Sequence, residues 1–380
     1  MPTIIDFIEK FQEDLLKRER RSASEMVRVY GEGWKKINSQ IKRLNAELAE
    51  LKKRGEQPGP GWTAQNERAR ALQAQIQREL IKFTKYAERN VIKQQSEAIG
   101  LALEQARDLV EISIGHSLEG FWNRINRPAV EIMVGMNQPG SPLHKLLNDI
   151  LAEGAEAARQ ALEQSILLGY GPERVAREIR NALGISLDRA LKISRTEILR
   201  AYRIASLESY QQNSNIVKGW KWLTAGDDLV CISCRLMNGT IHKPDEELNS
   251  HPNCRCAMSP ITISWEELGE MYGFDFSGID NLQIDIDALI EKWGLSEKQI
   301  RQYKINQMSG KDWIESLSDN EQMRLMGKTK FYAWKDGAFD LDDLLRTTYS
   351  AEWGAGIRQA RLDELLTPEQ ILKYKAMAKD

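Results

Sequence analysis

No cysteine occurs in the first 230 residues of this 380-residue chain, and none in the last 124. The four that exist lie between positions 231 and 256. Such scarcity excludes a disulfide framework spread over the chain. Histidine is as rare: His116, His144, His242 and His251 are all there are, which leaves little imidazole for acid–base chemistry. No stretch approaches the roughly 18 consecutive apolar residues of a membrane-spanning helix. The opening residues, Met1-Pro-Thr-Ile-Ile-Asp6, carry no basic segment leading into an apolar one, so no secretory signal is expected. A large charge imbalance is missing too. Lys and Arg number 53 against 55 Asp and Glu, and a net charge of -2 does not make the whole chain an electrostatic binder of nucleic acid. The expected setting is a reducing cytoplasm, where clustered thiols hold metal more often than they form disulfides.

What is present points to helices. Apolar residues make up 42% and charged residues 28%, which suits a soluble, helix-rich chain of two or three domains. Residues 1–115 lean slightly basic and residues 226–300 are acidic, so a polyanion would more plausibly meet the N-terminal helices than the cysteine segment. Trp34, Ile37, Ile41, Leu44, Leu48 and Leu51 recur at spacings of three and four, the a/d seam of a coiled coil. Arg54-Gly-Glu-Gln-Pro-Gly-Pro-Gly61 then stops the helix, because its prolines and glycines cannot continue it. Leu72, Ile76, Leu80, Phe83 and Ala87 resume the rhythm, giving a helical hairpin that either projects and dimerises or forms part of a plain bundle. Farther on, Ser141-Pro142 opens a helix expected to run to Leu168 with Gly169 as its left-handed cap. Gly171-Pro172 opens a second, expected to end near Leu183-Gly184, and Ser186 caps a third. Leu295-Ser296, Leu317-Ser318 and Thr367-Pro368 read as further helix starts.

The texture changes at Ile216. Ile216-Val-Lys-Gly-Trp220-Lys-Trp222-Leu reads as a strand with two tryptophans on one face, and short runs at Thr240-Ile241 and Met258–Ile263 are candidates to pair with it. The expected fold class is therefore mainly α with a small β module (α+β): an N-terminal helical hairpin, a helical middle, and a small zinc-ribbon-like cysteine module. Within that module stand Cys231-x-x-Cys234 and His251-Pro-Asn-Cys254-Arg-Cys256. Zinc takes four thiolate or imidazole donors in a tetrahedron. Five candidates compete for four places, and Cys231/Cys234/His251/Cys254 stands beside the all-cysteine set. A structural zinc is the expectation; free thiols and a catalytic metal are the other readings. Glu246 and Glu247 lie near, but nothing in the spacing marks either as a general base. Asp227 and Asp228 suit side-chain-to-backbone turn bonds or support of a metal-binding loop, and Asn253 and Arg255 flank the second ligand pair. Arg195 and Glu197, with Thr196 between them, are two apart on a helix, so they diverge toward different neighbours, the cysteine module's backbone among the candidates. A polar network that locks the fold is the expected role.

The order of these pieces resembles a known family. Arg195-Thr196-Glu197, then Asp227-Asp228, Cys231-x-x-Cys234 and His251-Pro-Asn253-Cys254-Arg255-Cys256, is similar to the phage head morphogenesis domain, the Mu F-like minor head proteins. The resemblance spans about 130–350, including Leu325-Met-Gly327 and Asp336-Gly337 toward the C-terminus, and does not reach residues 1–115. With the hairpin read from its apolar spacing, the expected division is 1–115 (hairpin or coiled-coil region), 116–263 (Mu F-like core, its Cys/His module at 220–260) and 264–380 (C-terminal helical region of the same family). The resemblance implies a minor capsid protein of a tailed phage or prophage, found in the host cytoplasm during assembly and then in the head interior. Its partners would be the portal protein, a scaffold or the major capsid protein, with packaged DNA as a further contact. No membrane, small-molecule substrate or catalytic turnover is expected. The alternatives are a metal-dependent nuclease of the histidine-asparagine-histidine type and a DNA-binding internal virion protein. The nuclease needs histidines beyond any that bind structural metal, and only four exist.

Overall fold

The computed structural model describes residues 4–59, 61–135, 142–168, 172–227, 229–273, 291–294, 308–351 and 353–378. The expected caps at Ser141, Gly169 and Gly171, the helix start at Leu295-Ser296, and Asp228 lie outside them. The architecture is mainly helical with small antiparallel sheets, as the apolar periods indicate. Two compact units form. One comprises Met1–Leu16, Glu97–Val134 and Leu199–Asp380; the other comprises Lys17–Ser96 and Gly135–Ile198. Three long helices contribute to both: α1 (Ile4–Lys53), α3 (Glu67–Ile114) and α6 (Pro172–Gln212).

The helical unit holds most of α1 and the first part of α3, joined through the Pro/Gly turn and the short α2 (Trp62–Gln65), together with α5 (Pro142–Leu167) and the first part of α6. The seam residues Ile37, Ile41 and Leu44 are buried with Leu72, Ile76 and Leu80. Ala158, Leu162, Ile166, Val175, Ile179 and Leu183 of α5 and α6 complete that core, so the hairpin packs within a bundle. The expected break at Gly184 does not occur, and α6 continues through it to Gln212. Glycine in a helix interior costs only about 1 kcal/mol. Burial of Ile179, Leu183, Ala190 and Ile193 along α6 outweighs that. Tyr30 Oη donates to the Leu183 carbonyl. Gly154 of α5 lets the helices close on each other, since a Cβ there would lie 2.4 Å from Ser186 Oγ.

The cysteine-bearing unit is built on a three-stranded sheet of β1 (Val217–Leu223), β2 (Ile241–His242) and β3 (Ala257–Thr262), with order β2-β1-β3. Both pairings are antiparallel, with Trp220 opposite His242 and Trp222 opposite Met258. Gly219 is required where β2 crosses, because a Cβ would stand 2.5 Å from the His242 carbonyl oxygen. Trp220 and Trp222 are fully buried in a core shared with α3, α6 and three of the cysteines. The helix α7 (Ile232–Met237) carries Cys234, and Cys231 is its N-cap. Its neighbours α9 (Gly310–Ser316), α10 (Asp319–Met326), α11 (Lys328–Lys335) and α12 (Pro368–Met377) form a second core with Ile232 and Leu236. The sequence reading of Ser318 and Thr367 as caps holds: both close capping boxes. A hairpin of β4 (Leu345–Ser350) and β5 (Gly354–Gln359) has no counterpart in the sequence reading. The remaining helices of this unit are α4 (Arg127–Val134) and α8 (Trp265–Tyr272).

Candidate metal centre

Cys231 is the N-cap of α7, and its Sγ accepts from the Cys234 backbone N–H at 3.5 Å. A second sulfur-capped turn follows, in which Cys256 N–H donates to Cys254 Sγ at 3.4 Å. Asn253 sits in the left-handed region at φ 66°, which lets the chain reverse between His251 and Cys254. The five sequence candidates thereby converge. Their donor atoms form two groups of three, Cys231/Cys234/His251 and Cys234/Cys254/Cys256, each within 4.8 Å, and Cys234 belongs to both.

The donor chemistry fits a metal. Cys234 Sγ lies 3.7 Å from Cys254 Sγ. Two sulfurs about 2.3 Å from a tetrahedral zinc are separated by about 3.8 Å. His251 Nε2 is 3.1 Å from both Cys231 Sγ and Cys234 Sγ. Its Nδ1 is 2.8 Å from the Pro252 carbonyl, which can only accept, so Nδ1 carries a proton and Nε2 is the atom turned to the sulfurs. The adjoining cavity measures about 20 Å³, room for one ion or one water. The hydrogen bond with Cys234 and the neighbouring His251 hold the Cys231 thiol down to about 4. The same contact with Cys231 lifts His251 to about 9, against its partial desolvation. Burial pushes Cys256 up. At Cys254 burial acts upward as well, but the Cys234 and Cys256 contacts and the Arg203 charge together bring it well below the usual thiol range. A cluster that mixes thiolate, thiol and imidazolium in this way is one that a cation would satisfy.

The loops around the cluster are locked by polar side chains. Arg255 forms a bidentate ion pair with Asp227, whose Oδ1 also accepts from Leu229 N–H at 3.0 Å, so the turn role and the loop-support role coincide. Gln12 donates to the Arg255 carbonyl. Arg195 and Glu197 do diverge, but neither is part of the cluster. Arg195 pairs with the buried Glu19 at 3.0 Å, Gln95 donates to Glu197, and Thr196 Oγ1 donates to the Lys192 carbonyl. The backbone of the cysteine module is instead gripped by Arg203, which the sequence reading missed. Its guanidinium donates to the carbonyls of Cys254 (2.7 Å) and Cys256 (2.9 and 3.1 Å) and to Ser250 Oγ (3.1 Å). Two more residues were missed. Arg235 donates to the Val230 and Asp227 carbonyls beneath the Trp313 ring, and Asn238 accepts from Thr224 N–H and Oγ1. His242 stays out of both donor groups. It stacks on Trp220 at 4.2 Å, with Nδ1 3.2 Å from Glu246 and Nε2 2.9 Å from Thr240.

The family model described as phage Mu protein F like protein matches residues 156–259. The matched stretch contains α6 with Arg203, the sheet as far as Ser259, and all five donors. The match covers 104 of the 380 residues, and over that stretch the chain is similar to the phage Mu F-like family, which supports a phage head morphogenesis family. No curated protein and no solved structure matches the chain. Among the described residues, no helix is long and apolar enough to cross a membrane.

Proposed function

We propose that the protein is a minor capsid component that acts in prohead assembly through protein–protein contact, without catalytic turnover. Portal, scaffold or major capsid protein would be its partner. The observation that carries this reading is the Cys/His cluster inside the matched domain: its donors face one another around a cavity of about 20 Å³, with no room for a substrate. Zinc is the ion that the mixed sulfur and imidazole donors suit, held by Cys231, Cys234, His251 and Cys254, with Cys256 completing the alternative all-cysteine set. Such an ion supplies folding free energy to a module whose sheet is only three strands wide. Co-expression with portal, scaffold and major capsid protein from the same phage or prophage, followed by affinity capture and metal analysis, tests both halves. Retention of portal together with about one zinc per chain is expected. Capture of zinc-loaded protein that retains none of the portal, scaffold or major capsid protein would remove the assembly reading while leaving the metal in place.

A further inference from the structure

The net charge of -2 conceals a steep internal division. Residues 17–96 carry 19 Lys and Arg against nine Glu and no Asp. Residues 135–198 are balanced at eight of each sign, so the helical unit has a net charge of +10. All 19 of those cations are exposed, whereas Glu19 and Glu79 are buried.

The cations are not scattered evenly. Arg78, Lys82, Lys85, Arg89 and Lys93 recur on α3 at intervals of four, three, four and four, which places them on one face along about 22 Å of helix. Of the two acidic residues within that span, Glu79 is buried and pairs with Lys82, and Glu88 lies against His144. Like charges at i,i+4 repel and weaken a helix. Elsewhere the chain interleaves them with carboxylates, as Arg159 with Glu156 and Glu163, and Arg28 with Glu32. Buried Glu79 joins the row to α1, with Lys82 at 3.1 Å and Lys36 at 3.5 Å on its two oxygens. Lysine is depleted in protein interfaces, and rows of exposed cations are favoured against phosphate backbones.

We propose that this face of α3 binds the sugar–phosphate backbone of nucleic acid without reading sequence. The inference stands apart from the metal and assembly readings, since it uses neither the cysteine module nor a protein partner. It is tested with the full chain and a labelled duplex of about 25 base pairs of arbitrary sequence, beside a single strand of equal length, by anisotropy between 50 and 200 mM salt. Five phosphate contacts give a slope of log affinity against log salt of about -4.5 on duplex, roughly a 500-fold loss over that range, and about -3.5 on single strand. Lys82→Gln/Lys85→Gln/Arg89→Gln should reduce the duplex slope to about -1.8. The conservative set Lys82→Arg/Lys85→Arg/Arg89→Lys should keep both affinity and slope, and it separates lost contacts from lost fold. Arg174→Gln/Arg177→Gln/Arg180→Gln removes the same charge from exposed positions of the same unit and should change little. Absence of binding at 50 mM salt, or equal loss in the two glutamine triples, overturns the proposal. So does a wild type that ignores nucleic acid but forms an oligomer, by light scattering, that the stripe variant dissolves, because that result assigns the face to a second copy.

Discussion

Replacing Arg203 should loosen the cysteine module more than replacing any single exposed side chain of that unit. Its guanidinium satisfies the carbonyls of Cys254 and Cys256 as well as the Ser250 hydroxyl, and both cysteines are buried. Arg203→Ala leaves two buried carbonyl oxygens without that donor. An orphaned buried polar group costs about 1–3 kcal/mol, so the loss should be about 3–5 kcal/mol for the unit. The same bonds fix the backbone on both sides of Arg255, and removal of such a support typically lowers metal affinity about 10–100-fold. Arg203→Lys keeps the charge but loses the fork that reaches two carbonyls at once, so it should recover only part of either loss. Zinc competition against a chromophoric chelator gives the affinity; denaturant unfolding followed on the zinc-loaded and metal-stripped protein gives the stability. An Arg203→Ala protein that unfolds within about 1 kcal/mol of wild type and holds zinc as tightly would refute the reasoning.

Three further outcomes are expected. Cys234→Ser should abolish metal binding, because Cys234 belongs to both donor groups, and Cys256→Ser should retain it while His251→Ala does not; cobalt substitution, read by sulfur-to-metal charge-transfer absorption, reports this directly. Gly184→Ala should stabilise the helical unit by about 0.5–1 kcal/mol, since no atom lies within 4 Å of the added methyl; Gly310→Ala should destabilise the cysteine-bearing unit by about 1–3 kcal/mol, since its Cβ would collide with the Arg235 and Leu236 carbonyls, and thermal melts of both variants decide. The hydrogen bonds from Arg358 hold the Glu364 carboxyl down to about 2, so its contribution is complete above the ordinary carboxylate range and is lost as pH falls through about 2; the melting difference between wild type and Glu364→Gln should close over that window, and a difference that persists at the acid end would contradict it.

The parts of the fold that showed in the sequence are those whose signal is local. A seam such as Ile37, Ile41 and Leu44 needs only its own helix to be recognised, and Ser318 or Thr367 announces a helix start through a side chain three residues from its partner. Gly184 misled because propensity is weak against burial: its neighbours Ile179, Leu183 and Ala190 are all covered, and the helix runs on. The β4–β5 hairpin escaped for the opposite reason. Its first strand buries no residue fully, so it lacks the alternation that marks a half-buried strand. Gly356 in the second strand gives way to the Ser250 carbonyl, a close approach that no pattern along the chain encodes.

The candidate site divides along the same line. Its donors were legible because Cys-x-x-Cys and His-x-x-Cys-x-Cys are short-range patterns, and the structure brings all five together. Their supports were not, because Arg203 is 51 residues from Cys254 and nothing distinguishes it in the sequence from Arg200, which donates to the Val134 carbonyl. The competition between His251 and Cys256 also turns on geometry that sequence cannot supply. Spacing alone favours neither. The Pro252 carbonyl holds a proton on Nδ1 and so fixes the ring with Nε2 3.1 Å from two sulfurs. A proton on Nε2, or a cation in its place, satisfies that contact with the Cys231 thiolate. Cys256 turns its Sγ to Cys234 and Cys254, while its backbone N–H serves Cys254 Sγ and its carbonyl serves Arg203. The two candidates thus reach different sulfurs, His251 those of Cys231 and Cys234 and Cys256 those of Cys234 and Cys254, and the substitutions at 251 and 256 decide which completes the set.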